Sequence, residues 1–367
     1  MFSIPRTLVR VGSVRLVSVI SIALLLSTLM GCPGPANSEF RKILLSSDGT
    51  FVILGHIGEN YTRAVTFHSF ERDGELRVGK VLGSPYPWYV GGAALTSNGE
   101  VLVAGGLLGF PGVPQPVQFM RLDRFGNTIL KVQIANSLDD NVTALFEYTN
   151  GEILVANSIG ETTGSTGFKV LNSEGSVIRS AEDAESNCII AVMGQEGDIV
   201  TLGAPVGPVI NRYSAGLDLV SRIVQHDIDY KSGEYLYDFI VTQNGDTVVV
   251  GESFPSINHL NFLIARATAS GELLWKRIVD IPHSTAYTVE ESVDGSLYLG
   301  GRGGTAKLDA DGNEVWRVNM FADVRDIAIS SNGDVYAVGS GSVAGDTIGM
   351  LLLKFDADGS LLLERNY

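Results

Sequence analysis

The feature that most limits how this chain can fold is a short pattern that returns seven times. It reads SSDGTFVILG at 46–55, TSNGEVLVAGG at 96–106, YTNGEILVANS at 148–158 and GQEGDIVTLG at 194–203. It returns as TQNGDTVVVG at 242–251, SVDGSLYLGG at 292–301 and SSNGDVYAVG at 330–339. Each copy has a turn glycine: Gly49, Gly99, Gly151, Gly197, Gly245, Gly295 or Gly333. Six residues later stands Gly55, Gly105, Asn157, Gly203, Gly251, Gly301 or Gly339. Asparagine is the best substitute for glycine at positive φ, so this second position also reads as left-handed backbone. The turn glycines are 50, 52, 46, 48, 50 and 38 residues apart. Each copy also carries a second glycine turn, at Gly74, Gly126, Gly175, Gly216, Gly271, Gly312 or Gly359, flanked by runs such as AKLDADGNEVWRV at 306–318. One unit is therefore strand, turn, strand, loop, strand, turn, strand: a four-stranded antiparallel meander of about 47 residues, the size of a propeller blade.

Two further positions hold across the copies. Nine residues before the first turn glycine lie Phe40, Val90, Val142, Cys188, Leu236, Ala286 and Val324; six before it lie Ile43, Ala93, Leu145, Ala191, Phe239, Val289 and Ile327. Positions kept apolar in every copy mark a face packed against a neighbour. One blade cannot cover both faces of its own sheet, whereas a closed ring of blades can. With 45 % hydrophobic residues the chain can fill such a core, and 43 glycines against 12 prolines suit many tight turns. The expected fold is all-β: a seven-bladed β-propeller of four-stranded antiparallel blades over residues 39–367, preceded by a lipoprotein signal peptide. The chain starts on an inner strand and ends on an outer one, so the ring is expected to close without exchanging a strand between its ends.

The inner-strand pattern resembles WD40-type blades. The units SLYLGGRGGTAKLDADGNEVWRV (296–318) and ARATASGELLWKRIV (265–279) resemble blades of pyrroloquinoline-quinone-type (PQQ-like) propellers, in which a glycine turn is followed by tryptophan. Trp275 and Trp316 fit that pattern, while the other copies carry Val78, Leu130, Arg179, Val220 and Leu363 at the offset. The resemblance implies architecture. It also offers an analogy: one class of PQQ-like propeller lipoproteins assists outer-membrane protein assembly.

The N-terminus reads separately. Arg6, Arg10 and Arg15 precede an apolar run from Leu16 to Met30. As a helix those residues rise about 22 Å, short of a bilayer span, so the segment reads as an export signal. Leu29-Met30-Gly31-Cys32 resembles the lipobox of bacterial lipoproteins. The resemblance implies cleavage before Cys32, diacylglycerol on its thiol and an acyl chain such as palmitate on its new amino group. The expected organisation is a signal peptide at 1–31, a lipidated tether at 32–38 and the propeller at 39–367. An ordinary secretory signal is the alternative. The expected location is the cell envelope, lipid-anchored to a bacterial membrane with the propeller outside the cytoplasm. Loss of residues 1–31 removes three arginines and no acid from a chain already at −15, which argues against a nucleic-acid partner. The other cysteine, Cys188, sits at an apolar strand position and reads as a buried, inert thiol.

Motifs that could carry chemistry have simpler readings. Asp309-Ala-Asp311-Gly312-Asn313 and its near copy Asp356-Ala-Asp358-Gly359 resemble the start of a calcium loop. Sister copies carry RDG, RFG, SEG, SAG and ASG there, so a hairpin turn explains all seven. His56, His68, His226, His259 and His283 fall in different repeats with no zinc-like spacing. The run Gly300-Gly301-Arg302-Gly303-Gly304 reads as a shortened connection between hairpins. No catalytic residue, metal ligand or cofactor-binding set is singled out.

Binding is expected at the propeller mouth, where loops enter the inner strands. Ten residues before each turn glycine stand Glu39, Tyr89, Asn141, Asn187, Tyr235, Thr285 and Asp323. Seven before it stand Lys42, Gly92, Ala144, Ile190, Asp238, Thr288 and Asp326, which strand alternation turns toward the central channel. The candidate partner-binding residues are Tyr89, Asn141, Asn187, Tyr235, Asp238, Thr285, Asp323 and Asp326, with Cys32 as the lipid attachment site. The leading function is an envelope binding or scaffold module for a protein or glycan partner. A quinoprotein-like oxidoreductase or hydrolase working in the channel, and a small-molecule sensor, are the alternatives.

Overall fold

The protein was analysed as a computed structural model. It describes residues 39–367 apart from 58–63, 83–89, 107–114, 138–139, 160–164, 187, 195, 204–207, 225–233, 257–258, 280, 282–283 and 342–348. Residues 1–38, where the signal and the tether are expected, lie outside the described residues.

The described residues form twenty-six strands in six sheets. The first sheet contains β1 (Glu39–Leu45), β2 (Phe51–Ile57), β3 (Ala64–Phe70) and β4 (Leu76–Leu82). The second contains β5 (Gly92–Leu95), β6 (Val101–Gly106), β7 (Gln115–Leu122) and β8 (Thr128–Ser137), and the third β9 (Asp140–Glu147), β10 (Ile153–Ile159), β11 (Ser165–Leu171) and β12 (Val177–Asp183). The fourth contains β13 (Cys188–Met193), β14 (Ile199–Gly203), β15 (Val209–Tyr213) and β16 (Leu219–Val224). The fifth contains β17 (Glu234–Val241), β18 (Thr247–Ser256), β19 (His259–Ala267) and β20 (Leu273–Val279). The last has six strands: β21 (Thr285–Glu291), β22 (Leu297–Leu308), β23 (Glu314–Ile329), β24 (Val335–Gly341), β25 (Gly349–Phe355) and β26 (Leu361–Asn366). Among the described residues every pairing is antiparallel between chain neighbours, and no strand is exchanged between the first and last repeats.

Six sheets correct the seven separate four-stranded blades expected from the repeats. The sixth and seventh repeats fall in one sheet because Arg302, at the end of the run paired with β21, also pairs with Asp323 at the start of the seventh repeat. Residues 297–302 of β22 pair with β21, and residues 302–308 pair with β23. In turn, residues 314–319 of β23 face β22, while 322–329 face β24. Within β22 the run 300–304 reverses the chain at Gly303 (φ 91°) and Gly304 (φ 145°), the shortened connection between hairpins expected there, and Lys307 Nζ returns to 5.1 Å over the Tyr298 ring. The 38-residue spacing between Gly295 and Gly333 is too short for the loops the other copies have.

The first hairpin turn is the same in every repeat. Gly49 N–H donates to the Ser46 carbonyl (3.0 Å), and Ser46 N–H donates to the Thr50 carbonyl (2.8 Å). This is a type I turn followed by a left-handed residue, and Gly49, Gly99, Gly151, Gly197, Gly245, Gly295 and Gly333 all have φ between 75° and 86°. Asp309 likewise serves its turn, accepting from the amides of Asp311 (3.0 Å) and Asn313 (2.8 Å). In the fourth repeat the left-handed residue of the second turn is Leu217 (φ 77°), not Gly216 as read from the sequence. Glycine six residues after the first turn has another cause than the one expected. Those residues do not have positive φ; a Cβ on Gly251, Gly301 or Gly339 would overlap the carbonyl oxygen of Tyr235, Thr285 or Asp323 on the adjacent inner strand.

The core lies between successive repeats. Val52, Leu54 and Phe67 meet Val101, Val103 and Met120; at the closure, Phe40, Phe51 and Ile53 meet Tyr336, Val338 and Leu352. Tyr298 of β22 packs with Val324 and Leu353, so the two halves of the six-stranded sheet also have apolar residues between them. The outer strands add a second contact. A Cβ on Gly312 or Gly359 would come within 2.9 Å of Trp275 or 2.7 Å of Trp316, so each tryptophan sits on the turn of the next repeat. Leu363 meets Gly74 in the same way. Where the outer strand instead carries Arg179, its guanidinium donates to the Ala215 carbonyl (3.3 Å), and the buried Leu217 side chain occupies the next turn.

Candidate functional site

Around the axis run β1, β5, β9, β13, β17, β21 and the second half of β23, each against the next, with β23 closing on β1. These inner strands share an irregularity. The register shifts between Phe40 and Lys42, Cys188 and Ile190, Leu236 and Asp238, Ala286 and Thr288, and Val324 and Asp326. A β-bulge inserts a residue and re-aims the side chains beside it. It explains how positions three apart, such as Phe40 and Ile43 or Leu236 and Phe239, are both buried in the core. The strict alternation used to aim residues at the channel therefore breaks at this point. An odd spacing between two always-apolar positions was the sequence signal for it.

The channel wall gathers Lys42, Asp238, Glu290 and Asp326. Asp326 accepts from Ile43 N–H (2.8 Å), Thr288 Oγ1 (3.4 Å) and Lys42 Nζ (3.3 Å). Asp238 accepts from Val289 N–H (3.0 Å). Both carboxylates thus satisfy amides on the next inner strand, where no further strand can pair. Burial pushes Asp238 up to about 6, against the pull of Lys42. Glu290 is exposed to the channel, yet the protein crowded around it and the Asp326 carboxylate push it up to about 7. Asp326, with Asp238 behind it, raises Lys42 above the usual lysine value. On the opposite side, Cβ atoms on Gly91 and Gly92 would strike Val142 and Ala144, so β5 and β9 approach closely there.

At the loop-side mouth the bulged residues form an aromatic and cationic cluster that the sequence reading passed over. Tyr237 donates to Glu252 (3.0 Å), and its ring meets Tyr287 edge-on at 5.7 Å. The Arg325 guanidinium lies 4.2 Å over Tyr287 and pairs with Glu39 and Asp323, each at 3.3 Å. Burial and Glu252 raise the Tyr237 hydroxyl above its usual value. Tyr235 and Tyr237 remain 45 % and 41 % exposed.

Of the residues expected at the mouth, Tyr235 and Asn141 are exposed, and Asp323 pairs with Arg302 (3.3 Å) as well as Arg325. Thr285 is buried and donates to Glu252 (2.5 Å). Asp238 and Asp326 sit deeper, on the channel wall. Tyr89, Asn187 and Cys32 lie outside the described residues, as do His226 and His283. His68 is buried, which pushes its imidazole down to about 4, and buried His56 accepts from Val90 N–H (3.0 Å). Burial raises the Cys188 thiol to about 12. Among the described residues no three His, Cys, Asp or Glu side chains are arranged to hold a metal ion.

No protein-family model and no curated protein matches the chain. Solved structures do match it in shape. YCF48 bound to D1 peptide aligns over 89 % of this chain and 94 % of its own, with 11 % identity and a TM-score of 0.58. Sqt1 from Chaetomium thermophilum aligns over 91 % and 88 %, with 10 % identity and a TM-score of 0.57. BamB from Moraxella catarrhalis aligns over 88 % and 96 %, with 12 % identity and a TM-score of 0.48. At such identities the likeness speaks to fold alone, and that to YCF48 and Sqt1, with the ring of antiparallel sheets, makes this chain an all-β propeller.

Proposed function

We propose that this propeller is a lipid-anchored binding module of the bacterial cell envelope that presents its loop-side mouth to a protein partner. The observation carrying this reading is the cluster in which the exposed Tyr235 and Tyr237 stand beside the half-buried Tyr287 and Arg325. Tyrosine and arginine dominate the energetics of protein interfaces because they combine large rigid area with a polar end. A structure of this shape bound to a peptide, YCF48 with the D1 peptide, supports the same use of the fold. The anchor part rests on the Leu29–Cys32 lipobox resemblance, and mass spectrometry of the N-terminal peptide tests it directly. We also propose that the toroid behaves as seven sectors, the six-stranded sheet supplying two; apolar clusters between every pair of successive repeats support this. The channel carboxylates lend less to a catalytic reading, because Asp238 and Asp326 hold backbone amides.

A photo-crosslinking residue at Tyr235, with a control at Val293 on the opposite face, tests the partner in cells. A discrete protein adduct at 235 and none at 293 is the expected result. No adduct at either, or the same adduct at both, ends the proposal.

A further inference from the structure

The described chain starts at Glu39, on the loop side of the inner ring. Through Arg325, Glu39 is joined to Asp323 by ion pairs of 3.3 Å. Asp323 in turn edges a concavity of about 720 Å³ built from Ile281, Met320, Phe321, Ala322, Gly303 and Gly341. Phe321, at the crossover between the sixth and seventh repeats, is 98 % exposed at its rim. From Cys32 to Glu39 is seven residues, which reach at most about 25 Å when fully extended.

From these facts we infer that the loop face meets the membrane at its sixth–seventh edge, with Phe321 and its neighbours seated in the bilayer interface and the Tyr235–Tyr237 side of the mouth left open to a partner. The inference rests on lipidation of Cys32, as proposed above. An anchor of that reach holds the loop side near the headgroups, whereas the turn side stands a further strand length away, about 23 Å. A ring exposed this fully gains by burying its apolar area at the headgroup–acyl boundary. Arg302, half-exposed beside the concavity, can stay at headgroup level while its stem lies along the apolar surface. The occupant is therefore the lipid that anchors the chain.

The test uses the full lipidated chain in phosphatidylcholine vesicles, with or without brominated acyl chains. A fluorophore is placed at Phe321→Cys or, as the opposite-face control, at Val293→Cys, where the side chain is 92 % exposed. Cys188 is buried and does not compete for the label. Bromine is expected to quench the label at 321 about twofold and to leave the label at 293 unchanged. Equal quenching, or none at 321 in a chain whose Cys32 carries lipid, overturns the docking and leaves the anchor standing. An unmodified Cys32 in the same preparation overturns both. A label at 321 already shielded without vesicles, in a chain processed at 31 with Cys32→Ser, means that protein covers the patch and also overturns the inference.

Discussion

The turn at Leu217 offers a sharp test of how successive repeats lock together. Leu217 holds a left-handed backbone, which costs a residue with a Cβ about 1–2 kcal/mol, yet it is buried beside Phe168 and Tyr213. Replacing a buried leucine by a small residue costs about 2–5 kcal/mol. Leu217→Gly alone is therefore expected to lose about 2 kcal/mol after the backbone relief is subtracted. Arg179→Leu alone gives up an exposed ion pair to Glu152 (2.7 Å), worth at most about 1 kcal/mol, and finds no glycine to pack on. Combined, the two substitutions recreate the arrangement in which Leu363 lies on Gly74, and they should compensate each other by about 1–2 kcal/mol. Urea unfolding of all four proteins reads this out: with a slope near 3 kcal/mol/M, the double variant should lie about 0.5 M above the sum of the single shifts. Losses that add within about 0.4 kcal/mol would show that positions 179 and 217 do not share one space, and the docking explanation would fail.

Three other outcomes follow from the geometry. Gly251→Ala should destabilise by about 3 kcal/mol or more, since its methyl would overlap the Tyr235 carbonyl, while Gly245→Ala, with open space around it, should lose only the left-handed cost of about 1–2 kcal/mol; equal losses in urea would contradict this. Asp238 and Glu290 have folded pKa values of about 6 and 7, above their ordinary 3.8 and 4.5, so the folded state holds extra protons between these limits and stability falls as pH rises through that window. Glu290→Gln should thus raise the melting temperature at pH 8 and leave it unchanged near pH 4; the opposite pH preference in thermal unfolding would refute it. Asp326→Ala should cost about 2–3 kcal/mol, because it strips the partner from the Ile43 amide at the ring closure, and an unchanged urea midpoint would show that the bond is dispensable.

Much of this architecture was legible because glycine marks turns that other residues avoid, and comparison among copies separated turn chemistry from ligand chemistry at Asp309. Three things were hidden for physical reasons. Joining of the sixth and seventh repeats depends on the pairing of Arg302 with Asp323, made where the chain reverses at Gly303, although the 38-residue spacing hinted at it. The close-packed glycines such as Gly251 look like turn glycines in a sequence, since both lack a Cβ for different reasons. Tyr237, Tyr287 and Arg325 escaped notice because the bulge, not alternation, decides which inner-strand residues reach the mouth. Tyr235, Asp238, Asp323 and Asp326 could be named from their offsets in the repeat, but their partners follow only from three-dimensional placement.

The joined sheet has a consequence for how the ring comes apart. Residues 285–366 form one sheet whose two halves are joined by the Arg302–Asp323 pair, and its seventh-repeat half also abuts β1. The rest of the ring can open sheet by sheet through the loops between them, but in these two repeats the Arg302–Asp323 pair must break as well, which ties them into one block. That block contains the seam where the chain's first and last repeats meet. Breathing of the toroid is therefore expected to begin elsewhere, leaving the clasp as the last part to yield its slow-exchanging amides.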